Sequence, residues 1–157
     1  MRAGGVEMSM NTRDRQHERG QALIEAAITL PILLMLMVGI FEIGRAFQTW
    51  QVLTNAAREG ARMSITPSST QSTTTALIRQ YMADGQLSES AAAAVVVNKG
   101  ASINVSGTPV SASAVTVDYP FKFIMLQPVV RLVAPGATVG GPLTMRATAI
   151  MRNEAAF

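Results

Sequence analysis

The sequence contains no cysteine and a single histidine, His17. From Gln21 onward neither residue occurs, which excludes disulfide frameworks, thiolate or imidazole zinc sites, Ser-His-Asp triads and Cys-His dyads from that part of the chain. Charge is also scarce: Asp, Glu, Lys and Arg make up 15% of 157 residues, against roughly a quarter in an average soluble protein. The acidic residues are few and widely separated, and no GxSxG, P-loop or GxGxxG pattern is present. Serine-lysine or two-carboxylate chemistry remains conceivable, but the absences point away from an enzyme, and no metal site or cofactor is expected. The net charge is +3, yet four of the thirteen basic residues (Arg2, Arg13, Arg15, Arg19) lie ahead of the first apolar stretch and the others are scattered. A nucleic-acid surface needs a basic stripe with aromatics beside it, so no nucleic-acid partner is expected.

The missing charge has a location. Ala22 to Ile43 reads ALIEAAITLPILLMLMVGIFEI, with two acidic residues and no basic one. As a helix these residues span roughly 33 Å at 1.5 Å per residue, which matches a bilayer core of about 30 Å. Arg13, Arg15 and Arg19 precede the run, so the positive-inside tendency places the N-terminus in the cytoplasm and the rest of the chain across the membrane. Phe47 and Trp50 suit an aromatic belt at the far interface. A cleaved signal peptide is the bland alternative; it fits poorly, because the run is long and the only candidate cleavage triplet, Gly44-Arg45-Ala46, carries an arginine. Two residues are unusual for a plain anchor: Glu25, an acid inside the run, and Pro31, which removes a backbone hydrogen bond and predicts a kink.

Beyond the membrane the helix is expected to continue to Ser64. Arg45 to Ser64 has no proline, and Phe47, Trp50, Leu53, Ala57 and Ala61 fall at helical spacing for one packing face. Glu42 with Arg45, and Glu59 with Arg62, can pair on the helix surface for a few tenths of a kcal/mol. Arg58, Glu59 and Arg62 read either as a docking face or as a solvated one. Thr66 to Thr75, TPSSTQSTTT, reads as a loop or linker with a plausible hinge, and Ala76 to Met82 as a short helix. Ser88 to Ala94 can add a turn before an extended Val95-Val96-Val97. Strand signals follow at Ser102–Ser106, Ala112–Tyr119 and Leu143–Arg152. In the last, Leu143, Met145, Ala147, Ala149 and Met151 share a face. Phe121 to Val133 is apolar but broken by Pro128, and Phe121 to Leu126 can serve either as core or as a subunit contact. Ala134 to Pro142 reads as a glycine and proline loop. The expected fold class is α+β: a long transmembrane helix that continues outside the membrane and packs on a small antiparallel sheet. The expected organisation is a leader at 1–20, the extended helix at 21–64 and a small exported domain at 65–157.

Arg19-Gly20-Gln21-Ala22-Leu23-Ile24-Glu25, followed by an unbroken apolar helix, resembles the processing site of type IV prepilins. The longer segment from Arg19 to Ser64 is similar to the N-terminal part of TadE-like proteins, the pseudopilins of tight-adherence pilus systems. It shares the Gly, the Glu five places on, the Leu-Pro within the span, the Glu-Ile-Gly-Arg exit and the Asn-Ala-Ala-Arg-Glu-Gly-Ala-Arg run. The C-terminal stretches YPFKFIMLQPVV and TMRATAIMRNE resemble that family more loosely. The resemblance implies a pilin-like fold and cleavage between Gly20 and Gln21 by an aspartic prepilin peptidase on the cytoplasmic side. Other pilins and minor pseudopilins, an inner-membrane pilus platform and a secretion ATPase are the implied partners, beside the lipid bilayer. It also implies a bacterial inner-membrane location, with the C-terminal domain periplasmic or extracellular, and a role in pilus assembly, adhesion and surface colonisation. After such a cut Glu25 stands at the fifth position. The cost of an acid within a span is about 2.5 to 3.5 kcal/mol near the centre, and a neighbouring subunit's free amine at about 4 Å returns roughly 4 kcal/mol at an effective dielectric near 20. Glu25 is therefore a candidate for assembly; alternatively it sits at headgroup level near the positive end of the helix dipole. The competing function is a membrane-tethered module, uncleaved, that binds a ligand through its exposed sheet.

Overall fold

A computed structural model describes residues 12–134, 136 and 141–153, with side chains described from Gly20 onward except at 132 and 133. Helix α1 runs from Thr12 to Ser64, 53 residues. Helix α2 covers Gln71–Asp84, and a 3₁₀ turn at Ser90–Ala92 leads into strand β1, Ala94–Val105. Strand β2 is Thr108–Phe121, helix α3 is Leu126–Val133 and strand β3 is Leu143–Arg152. The strands form one antiparallel sheet in the order β1-β2-β3. The α+β expectation is met: a long apolar helix lies against a small three-stranded sheet.

The two halves of α1 live in different surroundings. Leu23, Ile24, Ile28, Leu30 and Ile32 are each more than 60% exposed, and only 6% of the most apolar 18-residue window is buried. A core helix of a soluble protein would hide such a surface; this one is long and apolar enough to cross a membrane. The helix runs through Pro31, whose nitrogen has no proton to give the preceding turn. In the second half Val38, Glu42, Thr49, Leu53, Ala56, Ala57, Gly60, Ala61 and Ser64 are buried. Phe47 and Trp50, expected on the packing face, are instead 59% and 50% exposed. Small residues took that face because α2 and the sheet come so close: a Cβ at Gly60 would stand 2.7 Å from Ile78 Cγ1 and 3.4 Å from Val115 Cγ1.

The core joins Leu53, Ala57 and Ala61 of α1 to Ile78 and Met82 of α2 and to Val115, Val117, Tyr119 and Phe121 of β2, with Ala147 from β3. The inward face of β3 is the one expected, although Leu143 at its start is 50% exposed. Three local expectations change. Helix α2 begins at Gln71, inside the stretch expected to be loop, because Thr70 and Thr73 form a reciprocal capping box. Ser102–Ser106 is no separate strand but the end of β1, which passes Gly100 with a register irregularity between Asn98 and Ala101. Pro128 does not break the apolar segment; it occupies the first turn of α3, where a missing N–H costs no intrahelical bond. The β1-β2 hairpin closes through Ser106 and Gly107, both at positive φ, 51° and 89°, as the right-handed sheet twist requires of a two-residue turn.

The segment between α1 and α2 is tied down. Lys99 on β1 donates to Ser69 Oγ at 2.7 Å and also to the Ser69 carbonyl. Beside it, Ser113 Oγ donates to Asn153 Oδ1 at 2.7 Å, and Asn153 Nδ2 donates to Ser111 Oγ at 2.7 Å. Of the stretch Thr66–Thr75, where a hinge is expected, the residues from Gln71 on are helical and Ser69 is held by Lys99.

Candidate functional site

Two places on α1 are candidate sites. The first is the stretch at Gly20. Gly20, Gln21, Glu25 and Pro31 all lie within α1 and all are exposed. The helix continues unbroken across the Gly20–Gln21 bond, and nothing lies within 4 Å of a Cβ built at Gly20. Packing therefore gives no reason for a glycine there, in a helix interior where glycine costs about 0.5–1 kcal/mol relative to alanine. Gly39 and Gly44 are equally open. From Gly20 the carboxylate at Glu25 is between one and two helical turns along.

The second place was not foreseen as a site. Glu42 was expected to pair with Arg45 on an open helix surface. It does pair, Arg45 Nη1 donating to Oε2 at 2.7 Å, but Glu42 is 1% exposed. Its other oxygen, Oε1, accepts the backbone N–H groups of Ile124 and Met125 at 2.7 and 2.6 Å. Met125 is the N-cap position of α3, and its own side chain offers no cap. A carboxylate from α1 thus satisfies donors at the start of a helix more than eighty residues away, where the positive end of the helix dipole also favours an anion. Arg45 completes the node: its guanidinium carbon lies 5.1 Å from the Phe121 ring centroid, and its Nη atoms reach the Lys122 carbonyl at 3.5 Å. Phe121 and Phe123 meet edge to face at 5.2 Å. The three-residue spacing of Glu42 and Arg45 was visible in the sequence; the partner that makes Glu42 a buried staple was not, since a backbone N–H leaves no mark on it.

Of Phe121 to Leu126, for which core and contact readings stood open, only part belongs to the core. Phe121 is buried at 1% exposure, while Ile124 and Met125 are 59% and 48% exposed. The cleft beside the staple is lined by Arg45, Gln48, Glu89, Tyr119 and Lys122 among others. Its cations are neutralised: Arg45 by Glu42, and Lys122 by Glu89 at 2.8 Å. The Glu89 pair raises the Lys122 pKa through its hydrogen bond and its charge. Among the described residues no group of three or more His, Asp or Glu could hold a metal ion. Higher on α1, Arg62 Nε donates to Glu59 at 3.0 Å, and this hydrogen bond, ahead of charge, lowers the Glu59 carboxyl below its usual value.

Residues 20–62 match the family model described as TadE-like protein. No curated protein and no solved structure matches the chain. The match starts at Gly20, takes in the whole apolar run and Glu42, and ends near the last turn of α1.

Proposed function

Because the chain is TadE-like over residues 20–62, we propose that it is a minor pseudopilin-like structural protein of a tight-adherence pilus, without catalytic activity. It is made as a membrane precursor with its N-terminus in the cytoplasm, and a prepilin peptidase removes the leader after Gly20. The mature chain then takes part in pilus assembly, adhesion and surface colonisation together with other pilins, an inner-membrane platform and a secretion ATPase. The observation that carries this reading is the coincidence of the family match with an apolar half-helix that has almost no contacts of its own. Such a surface, 50% or more exposed at most of its large side chains, needs either lipid or the helices of neighbouring subunits to cover it. A filament core built from such helices offers the second. Glu25 then pairs with the new amine at Gln21 of a neighbour, which sets register between subunits.

The test is complementation of a strain lacking this chain. Wild-type protein restores surface filaments and surface attachment, whereas Glu25→Val, inserted in the membrane and still cut at Gln21, restores neither. Full restoration by Glu25→Val would remove the assembly role, and a deletion with normal filaments would favour a tethered binding module.

A further inference from the structure

The segment that Glu42 holds lies at a depth set by α1 itself. At 1.5 Å per residue from Ala22, Val38 stands about 24 Å and Glu42 about 30 Å along the helix, so a hydrocarbon layer of about 30 Å that begins at Ala22 ends at Glu42. Val38 is nevertheless buried, at 8% exposure, while Ile40, Phe41 and Ile43 around it are 50% exposed or more. Helix α3 packs on α1 and starts directly after the two amides that Glu42 accepts. It therefore begins at the hydrocarbon boundary, on the side of α1 where Val38, one turn deeper, is shielded from its surroundings.

The composition of this segment suits that depth. Ile124, Met125 and Leu143 are 59%, 48% and 50% exposed, and Phe41 and Ile43, on either side of Glu42 in α1, are 50% and 70% exposed. Arg131, exposed on α3, suits a long cationic side chain whose stem lies in lipid and whose head reaches anionic phosphates, while Lys122 is held by Glu89. In water this end of the domain would be an apolar patch beside a membrane; in lipid it needs no other partner.

We propose that Ile124, Met125 and α3 form a second membrane contact, in which phospholipid of the leaflet on the domain's side covers them beside α1. Glu42 is the positioning residue that pins this contact to the span. The proposal rests on α1 crossing the bilayer. It holds the domain against the membrane instead of letting it swing on a bare stalk, and it means that passage into a filament has to strip lipid from α3 as well as from α1.

The natural chain has no cysteine, so single substitutions label one site each. Ile124→Cys, Met125→Cys, Leu34→Cys in the span and Thr108→Cys at the distal hairpin are spin-labelled in the full chain. Each is reconstituted in vesicles of phosphatidylethanolamine and phosphatidylglycerol. Collision with oxygen is compared with collision with a water-soluble nickel chelate. The labels at 124 and 125 are expected to shift from the aqueous value at 108 toward the value at 34, at a depth of roughly 5–10 Å. If they match position 108 while position 34 lies in the membrane, the contact is wrong and the span stands. If position 34 is also aqueous, both fall. Two labelled positions guard against one label disturbing the loop.

Discussion

Replacing Glu42 with alanine removes three charge-assisted hydrogen bonds at once: those from the Ile124 and Met125 amides at 2.7 and 2.6 Å and that from Arg45 at 2.7 Å. Each amide left without an acceptor costs about 1–3 kcal/mol when buried. These two are partly shielded, which places the loss at about 2–4 kcal/mol for the junction between the loop and α1. The better helix propensity of alanine returns only a few tenths of a kcal/mol. Glu42→Gln keeps a carbonyl oxygen for the two amides but not the charge, and should cost roughly half as much. The assay is hydrogen exchange at the Ile124 and Met125 amides in detergent or nanodiscs. At 1.4 kcal/mol per decade, exchange should quicken roughly 30- to 1,000-fold in the alanine variant and less in the glutamine variant. Glu59→Ala, which breaks only a surface pair with Arg62, should leave those amides unchanged. Wild-type exchange at both amides in Glu42→Ala would refute the staple.

Gly60→Val places a branched side chain where even a Cβ would meet Ile78 and Val115; it should lower stability by about 1–3 kcal/mol through overpacking, and urea melts of the solubilised chain would show this as a lower midpoint. Thr74 Oγ1 is buried with no hydrogen-bond partner, so Thr74→Val should raise stability by about 1 kcal/mol, an effect that the same melts detect. Asp118 sits opposite Arg146 across β2 and β3 and accepts from its Nε at 2.6 Å, and this bond, ahead of charge, lowers the Asp118 carboxyl below its usual value. A lowered folded-state value means that the contribution is complete above the ordinary carboxylate range and is lost as pH falls through the lowered value. Thermal midpoints should therefore hold steady from pH 7 to about pH 5 and drop below about pH 4, and the drop should be smaller in Asp118→Asn.

What the sequence revealed and what it hid divide along the range of the interactions. The apolar run of α1 and the alternation of β3 are local patterns, and β3 occupies the residues where its alternation runs, Leu143–Arg152. Helix α2 was half hidden, because Gln71 to Thr75 is composed of residues with modest helix propensity whose hydroxyls act as caps only once the chain is in place. The continuity of β1 was masked by Gly100, which weakens a strand signal, while its pairing partners lie on β2. The packing face of α1 is the expected one at Leu53, Ala57 and Ala61 and differs at its two aromatics, for a related reason. Large aromatics at 47 and 50 suggest burial, yet close approach of α2 and the sheet selects Ala56, Ala57, Gly60 and Ala61. Glu42 was seen as half of a helical ion pair, and its more consequential partners were amides at 124 and 125 that no side-chain pattern announces. At Gly20 and Glu25 the situation is reversed: the motif is plain in the sequence, and both residues are exposed on α1.

The most direct measurement is the intact mass of the membrane-extracted protein, made with and without a prepilin peptidase. A species beginning at Gln21 that appears only with the peptidase is the result expected of a pilin-like precursor. Persistence of the uncut chain in both would contradict it and leave a TadE-like anchor that is not processed.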